Sequence, residues 1–403
     1  MALTLGLGGG GCRERAVAVR DEAELRRMVD QMVPRVEAAT GLRFRHPPVV
    51  ARRTRAQIND YIIQKLDAEY PPDELAGYQT ALRLFGLIPD TLDLRRTFVT
   101  VLTEQVAGFY DPDSGALYIA GDLDDALRVR LTVSHELVHA LQDQYVKLDS
   151  IVRQRRQNDR RLAAHAVLEG QATLAQIGVM MPEQRVDTLA PNWFWSQREV
   201  TAALQSQMPQ FASAPLWLRE GLVFPYLAGA DFVNWFGRRY PGAHPFPPRM
   251  PSSTEHILHP DRFLDGDEPT GLAFVRAEGI RYEDGLGEFE IRVLLTELTR
   301  VEARGAALAA AWDGDRFAVI DRDALVWYSV WDDDLAADRF ARGLERAWAD
   351  RRAAGSGSRR FRIKRLTVEG RPAVRLVDAP PDWSGWHAIP TVTTVAPSTS
   401  PQH

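Results

Sequence analysis

The chain has 403 residues, of which 45% are hydrophobic and 26% charged, with a formal net charge of -5. That is ordinary globular composition with room for more than one domain, and it excludes a disordered, collagen-like or coiled-coil chain. Arginines are interleaved with acids, so no basic field points to a nucleic-acid partner; the single cysteine, Cys12, excludes an internal disulfide; and no apolar run is long enough to predict a transmembrane span.

Residues 1–12 are apolar and glycine-rich and end on Cys12. This resembles the end of a bacterial lipoprotein signal, although no basic residue precedes the apolar stretch. It implies a lipid anchor at Cys12 and an extracytoplasmic location, in the cell envelope or secreted. The alternative is a plain N-terminal tail, and residues 1–20 are set apart from the folded unit on either reading.

From residue 21 the pattern turns helical. Leu25, Met28, Val29, Met32, Val33 and Val36 share one face, and Gly41 follows as a C-cap. Residues 42–52 predict a proline-interrupted edge strand. Helices are predicted at 54–69, 74–86 and 92–105. At 106–120, two apolar runs flank Asp111-Pro112-Asp113-Ser114-Gly115, which predicts a β-hairpin rather than a calcium loop. Long helices are predicted at 123–148 and 159–181. The segment 182–215 reads as irregular, 217–239 as helical, and the proline-rich 241–270 as a long ordered loop. Helices at 286–300 and 333–350 bracket two short strands, 317–320 and 324–330. Trp327, Trp331 and Trp348 fall in patterned segments and are expected in the core, whereas Trp193 and Trp195 could line a groove. The domain organisation read from this is a unit at 21–352, a Gly-Ser linker at 353–359, a C-terminal hairpin at 360–388 and a disordered Thr-, Ser- and Pro-rich tail at 389–403.

The chemistry is carried by His135-Glu136-Leu137-Val138-His139. On a helix, histidines four residues apart stand one above the other and can share one metal ion. Glu136 projects beside them, placed to act as general base on a water without being a ligand, the arrangement of zinc peptidases. The apolar neighbours Leu131, Val133, Leu137, Val138 and Leu141 bury these groups, which is costly unless something satisfies them. Zn2+ needs a third protein ligand and leaves one position open in a catalytic site. Glu169, on the next helix among Val167, Leu168, Leu174 and Ile177, is the favoured candidate. His165, one turn before it, and Glu220, in Trp217-Leu-Arg-Glu-Gly221, are its rivals. The small residues Gly170 and Ala172 are expected to let the Glu169 helix approach the metal helix closely. The donor that would steady an oxyanion is open among His256, His259, Tyr226 and Tyr282.

With His135, Glu136, His139 and Glu169-Gly170-Gln171-Ala172, the sequence resembles the gluzincin zinc metallopeptidases, whose signature is HExxH with a downstream Glu. Glu104 to Pro112, His135 to Gln144, Ser253 to Pro260 and Trp312 to Arg316 are similar to strings in poorly characterised bacterial metallopeptidase-like proteins of the cell envelope. The resemblance implies an α+β, mainly helical zincin-like unit with a small antiparallel sheet. It also implies a Zn2+ cofactor, a peptide or protein substrate, and a hairpin at 106–120 that pairs with substrate main chain. The intact Glu136 favours a peptidase over the alternative, a non-catalytic envelope binding or scaffold protein that keeps the fold. A non-peptide metallohydrolase is disfavoured, and the glycines at 6–11 lack the Lys-Ser or Lys-Thr of a phosphate-binding loop. Substrate preference and oligomeric state are not written in the sequence.

Overall fold

The computed structural model describes residues 21–148, 151, 155–197, 207–275, 278–354 and 358–396. Cys12 and the rest of the N-terminal segment, residues 355–357 of the Gly-Ser linker and the end of the tail lie outside the described residues.

The fold is α+β and mainly helical. The predicted helices form where apolar periodicity placed them: α1 (Glu22–Thr40), α2 (Arg55–Glu69), α3 (Pro72–Phe85), α4 (Leu94–Gln105), α5 (Ala126–Asp143) and α6 (Asn158–Met180), except that the helix expected over 123–148 is shorter, ending at Asp143 with a turn at 144–146. After two short turns at Trp193–Ser196 and Pro209–Ser213 come α7 (Leu216–Arg239), α8 (Gly287–Thr299), α9 (Glu302–Ala309) and α10 (Asp334–Ala354). Their starts follow local capping. The Asp125 carboxylate accepts from the Arg128 N–H at 2.8 Å and so begins the metal-motif helix α5. The segment expected to be a continuous loop at 241–270 contains two short helices, Thr254–Leu258 and Pro260–Asp265. Proline at the first helical position suits the second of them.

Strand β1 (Val49–Arg53), β2 (Gly108–Asp111) and β3 (Ala116–Ala120) form a small sheet in the order β1-β3-β2. The predicted hairpin is β2–β3, antiparallel with Gly108 opposite Ile119. The predicted edge strand is β1, and it runs parallel to β3. This sheet rests on α5. The second half holds a five-stranded antiparallel sheet, β5-β6-β7-β9-β8, of β5 (Ile280–Asp284), β6 (Trp312–Ile320), β7 (Ala324–Trp331), β8 (Arg360–Val368) and β9 (Arg371–Ala379). The C-terminal hairpin β8–β9 joins this sheet, because β9 pairs with β7 from Leu325–Asp378 to Val330–Ala373. Helix α10 covers one face, and Trp327, Trp331 and Trp348 are fully buried there. A smaller cluster around Tyr328, Val377 and Trp383 fills the other face.

Two expectations are corrected. The tail read as disordered from 389 contains β10 (Thr391–Val395), antiparallel to β4 (Gly271–Val275). The run Thr-Val-Thr-Thr-Val is β-branched throughout, and that strand preference outweighs the Ser- and Pro-rich composition around it. Gly170 does not serve the approach of α6 to α5. A Cβ placed on Gly170 would lie 2.2 Å from the Gly229 backbone carbon, and one on Gly229 would lie 2.0 Å from the Ala166 carbonyl oxygen. The bare glycines let α6 and α7 meet backbone to backbone.

Candidate metal centre

Three helices build the site. Helix α5 supplies His135, Glu136 and His139, α6 supplies Glu169, and α7 lays Tyr226 beside them. His135, Glu136, His139 and Glu169 are all buried. One ligand atom from each of His135, His139 and Glu169 lies within 4.8 Å of the other two. The Glu169 Oε2 atom is 3.0 Å from His135 Nε2 and 3.5 Å from His139 Nε2. This buried group could hold a metal ion, and among the described residues no other such group of three is found. Of the three candidates for the third ligand, Glu169 belongs to the cluster; His165 and Glu220 do not.

The fit to a cation is shown by what the site leaves unmet. His139 Nε2 is buried and makes no hydrogen bond. Its lone pair is fixed there by the other ring nitrogen. Gln142 is fully buried, and its Nε2 donates to the Leu168 carbonyl at 3.0 Å and to Gln171 Oε1 at 2.9 Å. A carbonyl only accepts, so that end of the Gln142 amide is the NH2 end. Its Oε1 therefore faces His139 Nδ1 at 2.9 Å, and Nδ1 carries the proton. Two imidazole nitrogens and a carboxylate, one of the rings held by Gln142 from outside the cluster, are a donor set of the kind that binds zinc.

The electrostatics agree. Burial pushes the His139 imidazole down, but the Glu169 and Glu136 carboxylates outweigh it and carry its pKa up to about 9. Burial pushes the Glu169 carboxyl up, and the two histidines reverse this, holding it well below the usual carboxylate range. A proton on His139 thus occupies the charge position that a cation would take. His165 is different: burial drives its pKa down to about 3, which leaves a neutral ring in the wall of the site.

The four candidates for an oxyanion donor separate cleanly. The Tyr226 ring stacks on His135, with centroids 5.9 Å apart at 25°. His256 Nε2 is 2.7 Å from the Asp267 carbonyl, and His259 Nε2 is 2.8 Å from Glu288 Oε1. The Tyr282 hydroxyl donates to Asp284 at 3.1 Å. Only Tyr226 of the four lies against the metal group. Strand β2, implied as the substrate-pairing strand, is the outer strand of its sheet, but all four of its residues are buried. Trp195 packs on Phe224 rather than lining a groove.

Gln142, Gln171 and His244 received no role from the sequence. Gln171 Nε2 donates to His244 Nδ1 at 3.0 Å, which ties the proline-rich segment after α7 to the metal group. A signal for Gln142 exists: an amide three residues after His139 shares its face of a buried helix. His244 had none, because its contact spans 73 residues.

A family model described as a domain of unknown function, DUF8575, matches residues 276–390, downstream of the metal group. No curated protein matches the chain. Among solved structures, a presumed hydrolase with a novel fold from Chloroflexus aurantiacus is similar at 20% identity and a TM-score of 0.38, over 60% of this chain and 88% of that one.

Proposed function

We propose that the protein is a zinc-dependent peptidase, with His135, His139 and Glu169 as metal ligands and Glu136 as general base. The observation that carries this reading is the convergence of three buried ligand atoms from two helices, with Glu136 buried in the same turn as the histidines. Zinc held there supplies Lewis acidity, which eases both deprotonation of a water and polarisation of a peptide carbonyl. Glu136 accepts the proton of the attacking water and delivers it to the leaving amine. Tyr226, stacked on His135, is the residue we assign to steadying the carbonyl oxygen as charge develops on it. Gln142 keeps His139 in the tautomer that presents Nε2. A location in the cell envelope through lipidation of Cys12 belongs to the same proposal and rests on the N-terminal sequence alone.

The test is metal analysis of the purified protein together with digestion of a broad peptide library. One equivalent of zinc is expected, with cleavage that stops on chelation and returns on zinc addition. Zinc without any cleavage would favour the non-catalytic binding protein, and the absence of zinc would end the reading.

A further inference from the structure

Beside the metal group lies a cavity of about 140 Å³. Its walls come from four helices: Leu66 of α2, Phe98 and Leu102 of α4, Glu169 of α6, and Leu222 and Pro225 of α7 are among the residues that line it. Because the ligand Glu169 forms part of the wall, whatever fills this space sits next to the metal. A dry apolar cavity of about 150 Å³ is large enough to hold one benzene molecule. Burying an apolar side chain of that size against such walls is strongly favourable.

The geometry points to a specificity pocket: we propose that this cavity receives one bulky apolar side chain, aromatic or large aliphatic, of the residue flanking the scissile bond of a peptide substrate. The inference rests on the peptidase reading for the identity of the ligand, and on the cavity for its selectivity. Two polar atoms, Gln105 Nε2 and His165 Nε2, are buried without a hydrogen-bond partner on residues that line the same cavity. Gln105 is 5% exposed. A tyrosine hydroxyl offers such groups a partner, so tyrosine is accepted alongside phenylalanine. An acidic side chain would find no Arg or Lys among the residues that line the cavity and is disfavoured.

Gly221 gives the means to test this. It lines the cavity, and a Cβ built on it meets nothing within 4 Å. A larger side chain there grows into open space instead of into backbone. The experiment exposes a randomised peptide library to the zinc-loaded Glu136→Gln protein and sequences the retained peptides, while the parent protein digests the same library. Bulky apolar and aromatic residues are expected at one position with enrichment of about tenfold or more over alanine. In the Gly221→Leu background that enrichment falls to below about twofold. Leu102→Ala, which enlarges the space, moves the preference toward tryptophan and serves if Gly221→Leu fails to fold. Flat enrichment at every position, or enrichment that both variants leave unchanged, overturns the pocket. The two readings fail separately. Cleavage by the parent with no side-chain preference removes the pocket and keeps the peptidase. Selective retention by Glu136→Gln with no cleavage by the parent keeps the pocket and removes the peptidase.

Discussion

At the scale of single residues, the site depends on which ring nitrogen each histidine presents. His139 offers Nε2 because Gln142 accepts from Nδ1, and Gln142 can do so only in the orientation that the Leu168 carbonyl imposes. Gln142→Leu removes the acceptor and leaves the Leu168 carbonyl and Gln171 Oε1 without their donor. Zinc affinity is expected to fall about 10–100-fold. Gln142→Glu, which keeps an acceptor toward Nδ1–H, retains more affinity than Gln142→Leu, and a competition titration with a chelator reads both. Equal affinity in all three proteins would show that the amide only packs. Acidity adds a second expectation. In the metal-free protein His139 carries a proton up to about pH 9, so zinc must displace it. Apparent affinity therefore rises with pH, by up to about tenfold per unit, and levels off above about pH 9. The same titration repeated from pH 6.5 to 9.5 checks this, and a flat profile contradicts it. The grouping of His135, His139 and Glu169 was legible in the sequence, because the two histidines sit four apart and Glu169 lies among apolar neighbours on the next helix. His244 was not legible, because its role exists only once a loop is folded back onto α6.

At the scale of elements, the close crossing of α6 and α7 brings both Glu169 and Tyr226 to the histidines. Gly170 follows Glu169 directly, so a methyl group at the crossing would move a metal ligand. Gly170→Ala or Gly229→Ala is expected to destabilise the fold by about 1–3 kcal/mol through overpacking, and to weaken zinc binding in parallel. Gly237→Ala lies on the same helix where a Cβ meets nothing within 4 Å, and should leave melting temperature unchanged or slightly higher. Calorimetry on the three variants distinguishes a required crossing from general helix propensity. The long helices were legible because each buries an apolar face of the period that the sequence shows, whereas α9 and the two short helices within 254–265 were not. The strands β4, β5 and β10 were not. The equally short β2–β3 pair was marked by the turn at Asp111–Gly115 between its strands, whereas β4 and β10 find each other across more than a hundred residues.

At the scale of the whole molecule, two acids tie the helices of the metal group to helices of the second half of the chain. Asp159 at the start of α6 accepts from the Thr254 N–H at 3.0 Å, and Glu290 of α8 accepts from Trp217 Nε1 at 2.7 Å. Burial raises the Asp159 pKa to about 7 and the Glu290 pKa to about 8, in each case against the hydrogen bonds they accept. Both carboxyls hold a proton in the folded state that the unfolded chain releases near pH 4. The stability they contribute is therefore complete below about pH 4 and is lost as pH rises toward 7 and 8. Melting temperature should fall between pH 5 and pH 8, and the double variant Asp159→Asn, Glu290→Gln should flatten that slope. An unchanged slope in the double variant would place the pH dependence elsewhere. These acids were not singled out in the sequence, since nothing local marks an aspartate as buried between halves of a fold.

The central claim is that Glu136 moves the proton while His135, His139 and Glu169 hold the metal. The direct measurement is the rate of peptide hydrolysis by the parent and by Glu136→Gln, compared at equal zinc occupancy. The account requires the variant to bind zinc as the parent does and to lose about 10²–10⁴-fold in turnover, the usual worth of a general base. Turnover equal to that of the parent at full zinc occupancy would contradict it.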